Sequence, residues 1–330
     1  RQLGKKTAGH PENFLSDVIE TTTGPLGQGI ANSVGFAIAE ESLRARFGPN
    51  IIDHYTYVIA GDGCLMEGVS QEAISLAGHL NLNKLIVFWD NNNITIDGPV
   101  NLADSTNQKI RFEASGWSVI EIDGHDPEEI NTAILGAKSS EKPTMIACKT
   151  HIAIGTTAQD TSKGHGALTD PELIKSARQV YRWNHEPFYI PKPIKEQWEE
   201  AGRNGEKTFT SWQSKVENLS SAKKSEFERI FNGDAPKKLS KAIRKFKKEN
   251  SAASPTIATR KSSELTLNAV NSIMRETIGG SADLTGSNNT KSTDMKIFDK
   301  SNRKGRYIHY GIREHAMAAA MNGMALHGGI

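Results

Sequence analysis

Short apolar runs recur through the first half of the chain. They occupy residues 57–60, 85–89, 117–122 and 144–148, and most of them stop at Gly, Asp or Asn. Runs without alternation are typical of strands that are buried on both faces, as in a parallel sheet. Apolar residues at helical spacing over 30–46, 67–80 and 127–137 predict helices between them. We therefore expect a doubly wound, mostly parallel α/β sheet over residues 1–185.

The pattern changes after residue 185. Prolines and a charged stretch with few β-branched residues predict a helical linker over 186–255, including a helix over 236–248 with seven Lys or Arg residues. That basic face is more typical of a solvated helix than of a nucleic-acid site. A helix over 263–274, a turn at Gly279-Gly280, a strand over 307–310 and a helix from Arg313 predict an incomplete second α/β domain over 256–330.

Composition excludes few functions. The 330 residues hold 40 Lys plus Arg and 38 Asp plus Glu, and a net charge of +2 argues neither for nucleic acid nor for a membrane as partner. Only two cysteines, Cys64 and Cys148, occur, which favours a reducing compartment such as the cytoplasm. Both ends, Arg1 and Ile330, look cut, so we expect the chain to be a piece of a longer one.

The most informative motif joins two predicted strand ends. Gly61-Asp62-Gly63 ends one strand, and Asn91-Asn92 ends the next after 27 intervening residues. Parallel strands end at a common ligand-binding edge. Asp62, Asn92 and the Ile94 carbonyl would offer oxygen ligands to Mg²⁺ or Ca²⁺, and Gly63 would let a phosphate approach. The spacing predicts a metal–diphosphate site, the alternative being two unrelated turns.

This spacing resembles the signature of thiamine diphosphate enzymes, and further segments resemble the transketolase family. They are GHPE at 9–12, TTGPLGQG at 22–29, GDGCLMEG at 61–68, ITIDG at 94–98, TRK at 259–261, GGSADLT at 279–285 and GIREHA at 311–316. They follow the family's order over nearly the whole chain. The resemblance implies that the start of the diphosphate-binding domain, most of the pyrimidine-binding domain and the C-terminal domain are absent.

The resemblance implies a role for individual residues. The metal ligands would be Asp62, Asn92 and Ile94. The cofactor would contact Gly24, Leu26, Asp62, Gly63, Glu67, Asn92, Ile96, Ile152, His165, Asp283 and Glu314. The sugar phosphate would contact His10, His165, Arg260 and Ser287, and the catalytic residues would be Glu314, His165 and His10. Where the family has glycine after the isoleucine that matches Ile152, this chain has Ala153.

Glu314 has the most specific implied role. The matching glutamate of the family hydrogen-bonds the aminopyrimidine ring of the cofactor of the other subunit, so we expect burial to keep Glu314 protonated. Glu67 would be a second carboxylate at that interface. The implied protein is a cytoplasmic homodimer of the pentose phosphate pathway. It would use a thiamine diphosphate ylid to move a two-carbon ketol group from a ketose phosphate, of the xylulose 5-phosphate type, to an aldose phosphate.

Two alternatives stay open at this point. One is a sister thiamine diphosphate enzyme, deoxyxylulose phosphate synthase or dihydroxyacetone synthase. The other is a catalytically inactive fragment that only binds the cofactor or dimerises.

Overall fold

Four parallel strands form the central sheet of the computed structural model, which describes Gly4 and residues 8–330. They are β1 (Thr56–Gly61), β2 (Leu85–Asn91), β3 (Ser118–Asp123) and β4 (Thr144–Lys149), in the order β1-β2-β4-β3. Gly61 pairs with Asp90, so the two predicted motif strands end side by side. The expected parallel α/β architecture is confirmed.

Helices cover both faces of this sheet. They are α1 (Gln28–Phe47), α2 (Asp62–Met66), α3 (Gly68–Leu80), α4 (Gln108–Ala114) and α5 (Pro127–Ser139), and α6 (Pro171–Val180) follows the loop after β4. Leu85 and Val87 of β2 pack into the core formed with α1 and α3, whereas Ile86 packs with α5. Because side chains alternate along a strand, these two cores lie on opposite faces.

The predicted linker segment is helical. It contains α7 (Lys192–Glu217), α8 (Ser221–Phe231) and α9 (Leu239–Ala253). Trp212 and Phe227 pack against Phe47 and Ile51 of the first region, and the Trp212 indole donates to the Ile51 carbonyl at 2.8 Å. The linker is thus attached through an apolar cluster, to which salt bridges of Arg46 with Glu226 and of Arg229 with Glu276 are added. The boundaries at residues 185 and 255 stay a prediction.

A second, two-stranded parallel sheet follows. Its region comprises α10 (Thr259–Asn271), β5 (Gly279–Ser281), α11 (Thr285–Asn288), β6 (Tyr307–His309) and α12 (Glu314–His327). The expected turn at Gly279-Gly280 is wrong, because both glycines lie in β5. A Cβ on Gly280 would lie 2.4 Å from the Tyr310 ring, so close packing rather than a turn excludes larger residues here.

Helix α12 packs the second region onto α1. A Cβ on Gly35 would lie 2.0 Å from the Ala320 carbonyl oxygen, and one on Gly323 would lie 1.9 Å from that of Asn32. These glycines let the two backbones touch, which extends one core from α1 to α12. Among the described residues, no helix is both long enough and apolar enough to cross a membrane.

Candidate functional site

Asp62 lies at the carboxyl end of β1, in a corner shared with the end of β2. Its side chain is 7 % exposed. One carboxylate oxygen accepts from the Trp89 indole at 3.1 Å, and the other accepts from the backbone N–H of Asn93 at 3.1 Å. Because Asn93 follows Asn92 directly, these bonds bring Asp62 to the loop that carries the predicted partner.

The loop after β2 is a tight turn. The Asn92 side-chain oxygen accepts from the Ile94 backbone N–H at 2.9 Å, and Asn93 has a φ of +61°, which asparagine tolerates. Thr95 N donates to the Gly98 carbonyl at 2.7 Å and closes the loop. The structure therefore places Asp62, Asn92 and Ile94 in one corner of the sheet.

The chemistry of this corner fits a divalent cation. Burial raises the pKa of Asp62 above its usual value, although hydrogen bonds from Trp89 and Asn93 act to lower it. Both donors are neutral, so an added cation would stabilise the buried carboxylate further. No cluster of three or more His, Cys, Asp and Glu side chains suited to a metal occurs in the part of the chain described. A cation here would depend on amide and carbonyl oxygens, which Mg²⁺ and Ca²⁺ accept.

The turn before α1 lies beside this corner. A Cβ on Gly63 would lie 3.1 Å from Leu26 Cδ1, so the Gly24–Leu26 turn approaches Gly63 closely. Gly24 has a φ of +150°, and a Cβ there would meet the His10 ring at 2.6 Å. His10, Gly24, Leu26 and Gly63 are therefore brought together. Gly24 and Leu26 also line a cavity of about 770 Å³ along β1.

Three other predicted positions lie on loops at the same edge of the sheet. Ile96 is at the tip of the loop after β2 and is 73 % exposed. Ile152 and His165 share the loop after β4, where Gly164 packs against Ile152. The His165 side chain is exposed. An apolar side chain exposed at a ligand edge suits contact with a bound ring.

Three predicted residues of the second region are exposed. Arg260 is in the first turn of α10, Ser287 is in α11, and Asp283 has a φ of +65° in the turn after β5. Among the described residues, no hydrogen bond or salt bridge joins these three to the Asp62 corner. The structure does not bring them into direct contact with it.

Glu314 begins α12, and its neighbours hold that helix end in place. Glu72 Oε2 accepts from the Ala316 N–H at 2.8 Å, and Arg313 Nε donates to Ser75 Oγ at 2.8 Å. The side chain of Glu314 is exposed in the single chain, so its expected burial at the cofactor of the other subunit stays a prediction. It sits at a helix start on the surface, so burial would need a further surface. Glu67, the residue before α3, is exposed too.

Sequence reasoning missed several polar contacts. Trp89 and Asn93 hold Asp62, yet Trp89 reads as the last residue of an apolar strand. The Nε2 atoms of His54 and His327 lie 2.9 Å apart, and burial lowers the pKa of His54 to about 4. No local signal pairs residues 273 positions apart. The three consecutive asparagines at 91–93 were the only available sign that a turn reaches Asp62.

Comparison with known proteins settles the family. Residues 1–236 match the family model described as transketolase, thiamine diphosphate binding domain, and residues 255–330 match that described as transketolase, pyrimidine binding domain. The chain belongs to the transketolase family. It thus contains a thiamine diphosphate-binding domain of the transketolase type.

Full-length transketolases resemble it over all of its length. Transketolase of Rhodobacter capsulatus is 55 % identical over 100 % of this chain and 49 % of its own length. The structure of Leishmania mexicana transketolase matches with a TM-score of 0.92 and 40 % identity, over 100 % of this chain and 50 % of that one. Pichia stipitis transketolase in complex with sedoheptulose 7-phosphate matches with a TM-score of 0.93, 40 % identity and the same coverage. The chain thus spans about half the length of the transketolases it matches.

Proposed function

We propose that the complete polypeptide containing this chain is a transketolase, which transfers a two-carbon ketol group from a ketose phosphate to an aldose phosphate. The observation that carries the proposal is the corner at which Asp62, the Asn92 loop and the Gly24–Leu26 turn meet, in a chain of the transketolase family. The relatives named above are transketolases, one of them bound to a ketose phosphate, which favours this activity over the sister enzymes.

The cofactor would be held at this corner. We assign Asp62, Asn92 and the Ile94 carbonyl to a Mg²⁺ or Ca²⁺ ion and Gly63 to the diphosphate. Gly24, Leu26, Ile96 and Ile152 would contact the cofactor rings. When bound, thiamine diphosphate supplies the electron sink that lets a carbon–carbon bond of the sugar break. The protein's part is to orient the cofactor and to exclude water from the apolar side of the turn.

The sugar phosphate would meet side chains from both regions. His10 and His165 can hydrogen-bond sugar hydroxyls and move protons near neutral pH. The Arg260 guanidinium and the Ser287 hydroxyl suit a phosphate. Asp283 is assigned to the neighbourhood of the cofactor.

Glu314 requires a second subunit in this proposal. Its carboxyl group is exposed on a helix end fixed by Glu72 and Ser75, so it is held firmly but is uncovered in one chain. We propose a homodimer in which Glu314, with Glu67 nearby, reaches the cofactor of the partner. A cytoplasmic location and a place in the pentose phosphate pathway complete the proposal, and the two free thiols Cys64 and Cys148 support the location alone.

Activity of the complete polypeptide tests this function. We expect transfer from xylulose 5-phosphate to ribose 5-phosphate that depends on thiamine diphosphate and on Mg²⁺ or Ca²⁺. Pyruvate in place of the ketose is the matched control, and its use as donor would favour a sister enzyme. Turnover that persists after both cofactor and metal are removed would contradict the proposal. Dimerisation is checked by sedimentation of the same sample.

A further inference from the structure

The loop between β4 and α6 carries two residues assigned above, Ile152 and His165. It runs from Thr150 to Asp170, and within it only residues 162–165 form a short 3₁₀ helix. The rest of the loop is built from successive turns, with backbone hydrogen bonds such as Thr156 N to the Ala153 carbonyl at 3.1 Å and Gln159 N to the Thr156 carbonyl at 3.2 Å. Side-chain contacts that span the loop add to these turns in deciding where Ile152 and His165 lie.

A histidine–aspartate pair closes this loop. His151 Nδ1 donates to Asp160, with distances of 3.0 and 2.9 Å to the two carboxylate oxygens. The backbone N–H of Asp160 donates to the Ile152 carbonyl at 3.2 Å, and Asp160 has a φ of +57°. Desolvation raises the pKa of Asp160, but the hydrogen bonds from His151 and Gln159, together with the nearby His151 and Lys149 charges, outweigh it and hold the pKa below its usual value. The pair thus joins the start of the loop to its middle.

His125 attaches the same point to the sheet. Its Nε2 accepts from the His151 backbone N–H at 3.0 Å, and the two imidazole rings are nearly parallel with centroids 5.8 Å apart. His125 follows β3, whose end is bonded to β4 through Gly124 N and the Lys149 carbonyl at 2.8 Å. The His151–Asp160 pair is therefore attached to the carboxyl edge of the sheet.

Gly164 connects the His151–Asp160 pair to His165. A Cβ on Gly164 would lie 2.8 Å from Ala153 Cβ and 3.5 Å from Ile152 Cγ2, so Gly164 is packed on the segment that His151 begins. Gly164 N also donates to the Thr161 carbonyl, one residue after Asp160, at 2.9 Å. His165 follows Gly164 directly. A shift of Asp160 would therefore move both assigned residues together.

We propose that His151 and Asp160 are positioning residues that hold Ile152 and His165 in a fixed position relative to the Asp62 corner. This inference rests on the proposed function, because Ile152 and His165 matter only if cofactor and sugar bind there. Both side chains are nearly half exposed, so the pair acts on the local shape of the loop and contributes little to global stability.

Hydrogen exchange of the complete polypeptide, measured without cofactor, tests whether the His151–Asp160 pair holds the loop. We expect Asp160→Ala and His151→Ala each to speed exchange of amides 152–165 by about fivefold, as local opening becomes easier. The double variant should exchange no faster than Asp160→Ala alone, because the His151–Asp160 contact is already lost in that variant. Asp160→Asn keeps a hydrogen-bond acceptor and should restore most of the protection. Asp234→Ala, an exposed aspartate after α8, is the matched control and should leave these amides unchanged.

Steady-state kinetics then test the positioning role. Asp160→Ala should lower kcat/KM for the ketose phosphate about tenfold, mainly through KM, with Asp160→Asn close to the parent. Unchanged exchange, or an Asn variant as impaired as the Ala variant, would overturn the proposal. Faster exchange with unaltered kcat/KM would overturn it too. If the polypeptide transfers no ketol group, the proposed function fails, and exchange alone decides whether the pair holds the loop.

Discussion

The two regions of this chain organise their predicted site residues differently. At the carboxyl edge of the four-stranded sheet, Asp62 is buried and each of its oxygens accepts a hydrogen bond from the neighbouring strand or loop. In the second region, Arg260, Ser287 and Glu314 are exposed. The first region thus completes the Asp62 corner with its own contacts, although Glu67, Ile96 and His165 of the same region are also exposed. The second holds its backbone firmly but presents side chains that need another surface to form a site.

Replacing Asp62 is the largest expected disruption of the first region. Asp62→Asn removes the charge but keeps an acceptor for Trp89, and we expect thiamine diphosphate affinity in the presence of Mg²⁺ to fall about 100-fold or more. Isothermal titration of the complete polypeptide measures this. An Asp62→Asn variant with parental affinity would show that the corner does not hold the metal.

The same variant has an expected pH signature without metal. The pKa of Asp62 is raised in the folded state, so its stabilising contribution is present at low pH and is lost as pH rises through that pKa. Asp62→Asn should lack this loss, and its free energy of unfolding should fall less between acid and neutral pH. Added Mg²⁺ should stabilise only the parent at neutral pH.

Arg303 tests how the two regions are joined. Its Nη2 donates to the carbonyls of Leu80 and Asn81 at 2.7 and 3.0 Å, and its Nε lies 3.1 Å from Glu41 Oε2. Arg303→Ala would leave a buried carboxylate and two carbonyls without this donor, so we expect a loss of about 3 kcal/mol in urea unfolding. Arg303→Lys keeps the charge and should lose less. Equal stability of parent and Ala variant would mean that α1 and α12 suffice to join the regions.

Gly279 and Gly280 are neighbours in β5, and replacing each by alanine gives a matched comparison with the smallest expected change in stability. Gly280→Ala would place a methyl group 2.4 Å from the Tyr310 ring and 2.7 Å from the Ile308 carbonyl oxygen, and we expect a loss of about 2 kcal/mol. Gly279→Ala meets nothing nearer than 3.7 Å and should change stability by about 0.5 kcal/mol or less. Thermal unfolding compares the two, and similar melting temperatures would contradict the packing account.

Much of the first region could be predicted from its sequence. Buried parallel strands need continuous apolar runs, and such runs end where the backbone turns, so 57–60 and 85–89 locate β1 and β2 within two residues. The end of each strand is also where Asp62 and Asn92 stand. Chain direction in a parallel sheet then places both at one edge without further information.

Close approach between distant segments could not be predicted in this way. Gly279-Gly280 has the local composition of a turn, and only packing against Tyr310 explains a strand there. In the sequence, nothing pairs the loop residues His151 and Asp160. Only the folded loop brings their side chains into contact. Local composition determined the strands, their sequence along the chain and the edge at which the predicted ligand residues lie, because these depend on the apolar pattern along the chain. Only the tertiary structure decided which side chains meet across that edge, because such contacts depend on distances between residues that no local pattern encodes.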